Sequence, residues 1–143
     1  MIQRIQSIYL LLILILSSLL FFFPFQTNII GFSEIKDIQL SLLDTSNTYL
    51  FIASVINLIV IINTATTILM YKRRPLQILL CHIISVNIIV LTVFMYIGSS
   101  QIEGLPTYKL PYIIPILNII LAQLARYYIK KDEELVKSAN RIR

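Results

Sequence analysis

A chain of 143 residues that is 57% hydrophobic, with a mean hydropathy of +0.83, lies well above the roughly 45–50% apolar usage of soluble domains. Its formal charge of +5 comes from twelve Lys and Arg against seven Asp and Glu. Those cations flank long apolar runs, which argues for membrane orientation and anionic lipid and against nucleic acid. A single cysteine, Cys81, excludes an internal disulfide and paired-thiol redox chemistry.

About 20 apolar residues rising ~1.5 Å each cross a hydrocarbon core of ~30 Å, and four stretches reach that length: residues 5–23, 49–71, 76–96 and 110–128. The first is longer than the 7–15-residue apolar region of a secretory signal. It ends in Phe21-Phe22-Phe23-Pro24-Phe25 rather than a small-residue cleavage site, so it is read as an uncleaved helix. Residues 26–48 form a long first connection. There Ile35, Ile38, Leu42 and Leu43 mark one face of a short surface helix, whereas Ile38, Leu40 and Leu42 alternate as in a strand; periodicity leaves both open.

The second stretch collects Ala53, Ser54, Asn57, Val60, Ile61, Thr64, Ala65 and Thr67 on one side at 100° per residue, leaving mostly Ile, Leu and Val on the other. Its connection to the third, Tyr71-Lys72-Arg73-Arg74-Pro75, is so short that the two helices must form an antiparallel hairpin, with Pro75 suited to a helix start. The third stretch puts Cys81, Ser85 and Thr92 on one face and Asn87 well off it, a pattern that touches two neighbours. On the fourth, Pro111, Pro115, Asn118, Ala122 and Ala125 follow a three-four spacing along one narrow face. Residues 129–143 hold good helix formers, a Glu133 to Lys137 pair at i,i+4 and an apolar row at Leu135, Ala139 and Ile142. They are expected to extend the fourth helix as an amphipathic cytoplasmic tail. The expected fold class is all-α: an integral membrane four-helix bundle at residues 1–128 with that tail, leaving too little chain for a second core.

Ten of the twelve Lys and Arg fall at the start, in the second connection and in the C-terminal region from Arg126 onward, which by the positive-inside rule makes both termini cytoplasmic. The eight tyrosines test this independently, because Tyr prefers the headgroup level. All eight lie within a turn or two of a proposed boundary.

Ion-driven carriers usually hold ionisable residues inside their spans, and the deep positions here hold none; Arg126 is close enough to the cytoplasmic end to snorkel. Amides, hydroxyls and small residues take their place. Asn57, Asn63, Asn87 and Asn118 lie near mid-membrane. With Ser54, Thr64, Pro115, Ala122 and Ala125 they are candidate helix-packing or partner-interface residues, since helices in lipid associate at small residues and through interhelical hydrogen bonds. The competing reading is a polar solute site, with Pro115 freeing a carbonyl near Asn118. His82, the lone histidine, lacks the further ligands that haem or metal would need and reads as an interfacial, hydrogen-bonded side chain. No nucleophile with its base, no paired carboxylates and no Gly-rich phosphate loop is evident. The expectation is therefore no enzyme, no cofactor and no metal.

The opening Met1-Ile2-Gln3-Arg4-Ile5-Gln6-Ser7, the turn Arg74-Pro75-Leu76-Gln77-Ile78 and the ending Lys131-Asp132-Glu133-Glu134-Leu135-Val136-Lys137-Ser138-Ala139-Asn140-Arg141-Ile142-Arg143 resemble domain-of-unknown-function family 4293. These are small four-span inner-membrane proteins of Bacteroidota. The resemblance covers the whole chain and implies a bacterial inner (cytoplasmic) membrane but no activity. Its sharpest motifs sit in the cytoplasmic layer, which makes Lys72, Arg73, Arg74, Lys130, Lys131, Lys137, Arg141 and Arg143 candidates for docking a partner or binding anionic lipid; as plain topology signals they would need no partner. The leading expectation is an accessory or scaffold subunit that partners membrane lipids and other integral membrane proteins. The rivals are a passive carrier or channel for a small polar or lipid-like solute, and a protein whose basic belt holds cardiolipin-like headgroups.

Overall fold

The four apolar runs fold as four helices in the computed structural model, which describes residues 3–30, 36–43, 46–71 and 73–141. Helix α1 is Gln3–Phe22, α2 is Thr48–Leu69, α3 is Arg74–Ser100 and α4 is Ile114–Arg141. All four are long and apolar enough to cross a membrane. Within the chain only 28% of the span window is buried for α1, α2 and α4, and 33% for α3. The uncovered remainder is a continuous Ile/Leu/Val surface that would aggregate in water and suits lipid. This is a multi-pass membrane bundle.

The helix ends follow from local chemistry. Pro24 disfavours helical backbone in the residue before it, and α1 stops at Phe22. Asn47 caps α2, its side-chain oxygen accepting the Tyr49 N–H at 3.0 Å, one of the donors that a helix start leaves unpaired. Pro75 falls in the first turn of α3, where its missing N–H is harmless.

Each helix packs on its sequence neighbours, and α1 closes the ring on α4, giving an up-down-up-down bundle with every adjacent pair antiparallel. Two apolar clusters fill its axis. Leu10, Ile13, Val60, Ile84, Ala122 and Ile129 meet toward the α2–α3 hairpin; Leu20, Phe25, Leu50, Ala53, Leu91 and Met95 meet toward the other end. At that end α2 and α3 approach closely: a Cβ on Gly98 would lie 2.7 Å from Leu50 Cδ2.

That second end carries a feature the helical reading did not contain. Strands β1 (Gln26–Ile30), β2 (Lys36–Leu40) and β3 (Leu105–Tyr108) form an antiparallel sheet in the order β2-β1-β3, with Gln26 paired to both Leu40 and Tyr108. The first connection thus takes the extended alternative over 36–40, while Ile35 lies outside the described residues. Leu105–Tyr108 joins it from the connection between α3 and α4. Phe25, Leu40 and Leu42 are fully buried beneath the sheet; packing against the bundle is what a short three-stranded sheet needs to persist.

Candidate functional site

Three helices meet at one serine. Asn57 of α2, Ser17 of α1 and Asn118 of α4 are 0%, 1% and 2% exposed. Asn57 Nδ2 donates to the Ser17 carbonyl at 3.0 Å, and Asn118 Nδ2 donates to Ser17 Oγ at 3.0 Å. Asn57 and Asn118 are therefore brought together as an interhelical joint, each bond in such a setting contributing about 0.6–2 kcal/mol. Asn57 Oδ1 and Asn118 Oδ1 remain buried with no partner among the described residues.

Three glutamines make further joints that the reading of the asparagines missed. Gln6 Nε2 donates to the Tyr128 carbonyl at 3.3 Å, tying α1 to α4, where Tyr9 and Tyr128 also stack with centroids 5.6 Å apart. Gln77 Nε2 donates to the Thr67 carbonyl at 2.9 Å across the hairpin. Gln123 Nε2 of α4 donates to Ser85 Oγ of α3 at 3.0 Å, while Ser85 itself donates to the Cys81 carbonyl. An amide inside or at the edge of an apolar span is the signal that finds these residues, and glutamine carries it as asparagine does.

The other expected packing residues are distributed as follows. Ala122 and Ala125 are fully buried on α4, and Pro115 is buried beside them. Thr64 is buried but donates to the Val60 carbonyl of its own helix at 2.7 Å, and Ser54 does the same to Phe51. Pro115 does not break a helix in mid-span. It is the second residue of α4, following a 3-10 turn at Leu110–Ile113, and the Pro111 carbonyl accepts the Ile114 N–H. The carbonyl that Pro115 would free under the competing solute-site reading is therefore occupied.

Asn63 and Asn87 stand apart from these joints. Both are half-buried, and neither side-chain amide has a partner among the described residues. Asn87 lies thirteen residues from either end of α3, roughly 20 Å each way, at the deepest point a spanning helix offers.

At the hairpin end, Arg74 Nη2 lies 3.0 Å from Asp132 Oδ2, an ion pair by distance although poorly aligned for a hydrogen bond. It braces the start of α3 against the extension of α4 and removes Arg74 from the freely available cations. Lys137 pairs with Glu133 at 2.7 Å, i,i+4. Arg73, Lys130 and Lys131 are exposed. Arg141 ends α4, while Lys72 and Arg143 lie outside the described residues. His82 is exposed on α3.

Comparison with curated proteins and with solved structures finds no match. A family model described as "Domain of unknown function (DUF4293)" matches residues 2–142, nearly the whole chain. With its four spans, its hairpin motif and its tail all inside that match, the chain belongs to the DUF4293 family.

Proposed function

We propose that this protein is a non-catalytic accessory or scaffold subunit of a larger assembly in the bacterial inner membrane, joined to it through the outer surface of α2 and α3. The observation that carries this reading is the unpaired amide of Asn87 at the middle of α3. A polar group left unmatched in hydrocarbon costs several kcal/mol. The chain turns its other deep amides, Asn57 and Asn118, inward onto Ser17. A neighbouring membrane helix with its own polar side chain satisfies Asn87 where lipid does not, and Asn63 on α2 offers a second such contact. The carrier alternative draws support only from the orphaned oxygens at the three-helix joint, and apolar clusters close the axis on both sides of that joint.

Mild-detergent purification of the tagged native protein tests the proposal. The expected result is a stoichiometric co-purifying membrane protein that Asn87→Leu releases while the bundle keeps its thermal stability. A monodisperse homo-oligomer that conducts solute in liposomes, or a partner retained unchanged by Asn87→Leu, overturns it.

A further inference from the structure

On α4, Gln123, Arg126, Tyr127 and Lys130 stand at the three- and four-residue steps that put side chains on one helix face, and together they wall a recess of about 230 Å³. At ~30 Å³ per water this is about eight water volumes, enough for a phosphate group. Arg126 is half-buried and the other three are exposed.

Donors dominate this wall. Arg126 brings five N–H donors and Lys130 three, and neither has an acceptor. Gln123 Nε2 donates one hydrogen to Ser85 Oγ at 3.0 Å, which fixes the amide at the edge of the recess and leaves its second N–H unused. No carboxylate lines the recess, and the acids that follow it on α4 are committed elsewhere, Asp132 to Arg74 and Glu133 to Lys137. Glu134, one turn beyond Lys130, is exposed, and among the described residues neither Arg126 nor Lys130 has an ion-pair partner. Like charges four residues apart on a helix repel. An anion seated between them relieves that repulsion, whereas an ammonium group adds a third positive charge and a polyol leaves both charges uncompensated.

The surroundings select the kind of anion. The row carrying Gln123, Tyr127 and Lys130 continues at the same steps to Ile120 and Ile116, 52% and 53% exposed, so the cationic recess stands at the head of an apolar track. Its depth follows from the next residue: Tyr128 stacks on Tyr9, and its carbonyl accepts from Gln6, both in the first turns of α1. The recess thus lies at the edge of the spans, where headgroups lie and tyrosine gathers, and Arg126 reaches that level by snorkelling.

We propose that this recess binds the phosphate of an anionic phospholipid in the leaflet at the hairpin end. Arg126 and Lys130 neutralise the phosphate, the Tyr127 hydroxyl and the free Gln123 N–H donate to the headgroup, and an acyl chain lies along Ile120 and Ile116. The site is on α4 and does not depend on the partner surface around Asn87.

The test uses the purified full chain, delipidated in detergent and titrated with phosphatidylglycerol or phosphatidylcholine, with retained lipid counted by native mass spectrometry. Phosphatidylglycerol is expected to be held at least tenfold more tightly than phosphatidylcholine, whose own cation meets Arg126 and Lys130; tenfold corresponds to one hydrogen bond to a charged group. The double variant Arg126→Gln/Lys130→Gln is expected to lose at least tenfold in affinity for phosphatidylglycerol, and Lys130→Gln alone, at an exposed position, about fivefold. Lys131→Gln/Lys137→Gln removes the same charge from the same helix outside the recess and is expected to change retention by less than about twofold. Equal retention of the two lipids, equal losses in the two double variants, or retention unchanged in Lys130→Gln overturns the proposal. Release of phosphatidylglycerol by millimolar inorganic phosphate overturns the assignment to a lipid in favour of a free anion.

Discussion

The two ends of the bundle solve the same problem, joining helices outside the apolar span, with opposite means. At the hairpin end, α2 turns into α3 within four residues, 70–73, and the closing contacts are the Gln77 amide on Thr67 and the Arg74–Asp132 ion pair. At the sheet end, two long connections come together through β1, which pairs Thr27 with Gln39 on one side and with Thr107 on the other. Contacts here are buried and amide-rich, with Asn28 at 1% exposed bonded to α3's trailing residues. A short connection closed by one buried amide and a half-buried ion pair, against long-range pairing held by several buried amides, means that mutational sensitivity should concentrate at the sheet end.

The sharpest test of that contrast is Asn28→Ala. It removes the donor to the part-buried Ile102 carbonyl and the acceptor for the buried Gln26 amide, and the expected loss is about 2–4 kcal/mol, read as a lowered thermal midpoint in detergent together with faster hydrogen exchange across Leu105–Tyr108. Gly98→Val comes next. Its added carbons would collide with fully buried Leu50, and overpacking of that kind costs about 1–3 kcal/mol by the same melting assay. Ser17→Ala, midway between the ends, removes the Asn118 acceptor but spares the backbone carbonyl that Asn57 uses. About 1 kcal/mol is expected, and a double-mutant cycle with Asn118→Leu should show the two changes to be non-additive. Arg74→Ala should matter least, no more than about 1 kcal/mol and less in high salt. If Arg74→Ala proved more damaging than Asn28→Ala, the ranking of the two ends would be reversed.

This contrast also explains how much of the molecule was legible in its residues. The four spans were, because an apolar run of about 20 residues has few other stable fates. The inward faces of α2 and α4 were too: Ala53, Asn57, Val60 and Thr64, and Asn118, Ala122 and Ala125, all keep helical spacing and all are buried. The sheet was not, since Ile38, Leu40 and Leu42 fit two periods and Leu105–Tyr108 is exposed along its length, with nothing to announce a partner some eighty residues away. Neither was the three-helix joint fully visible. Asn57 and Asn118 were identifiable as costly amides, but Ser17 sits among leucines as an unremarked small residue, and which amides converge and which are left outside depends on helix rotation about the bundle axis. Only the packed arrangement separates Asn57 and Asn118 from Asn63 and Asn87.

Helix α4 has a mechanical consequence. It runs unbroken from Ile114 to Arg141, so its thirteen residues beyond Tyr128 project roughly 20 Å from the ring stacked on Tyr9. The rod is held inside the bundle at Asn118 and Ile129 and exposed from Glu134 to Ser138. A load applied near Lys137 is therefore carried along one continuous helix to the Asn118–Ser17 bond, past the Arg74–Asp132 pair that ties it to the start of α3.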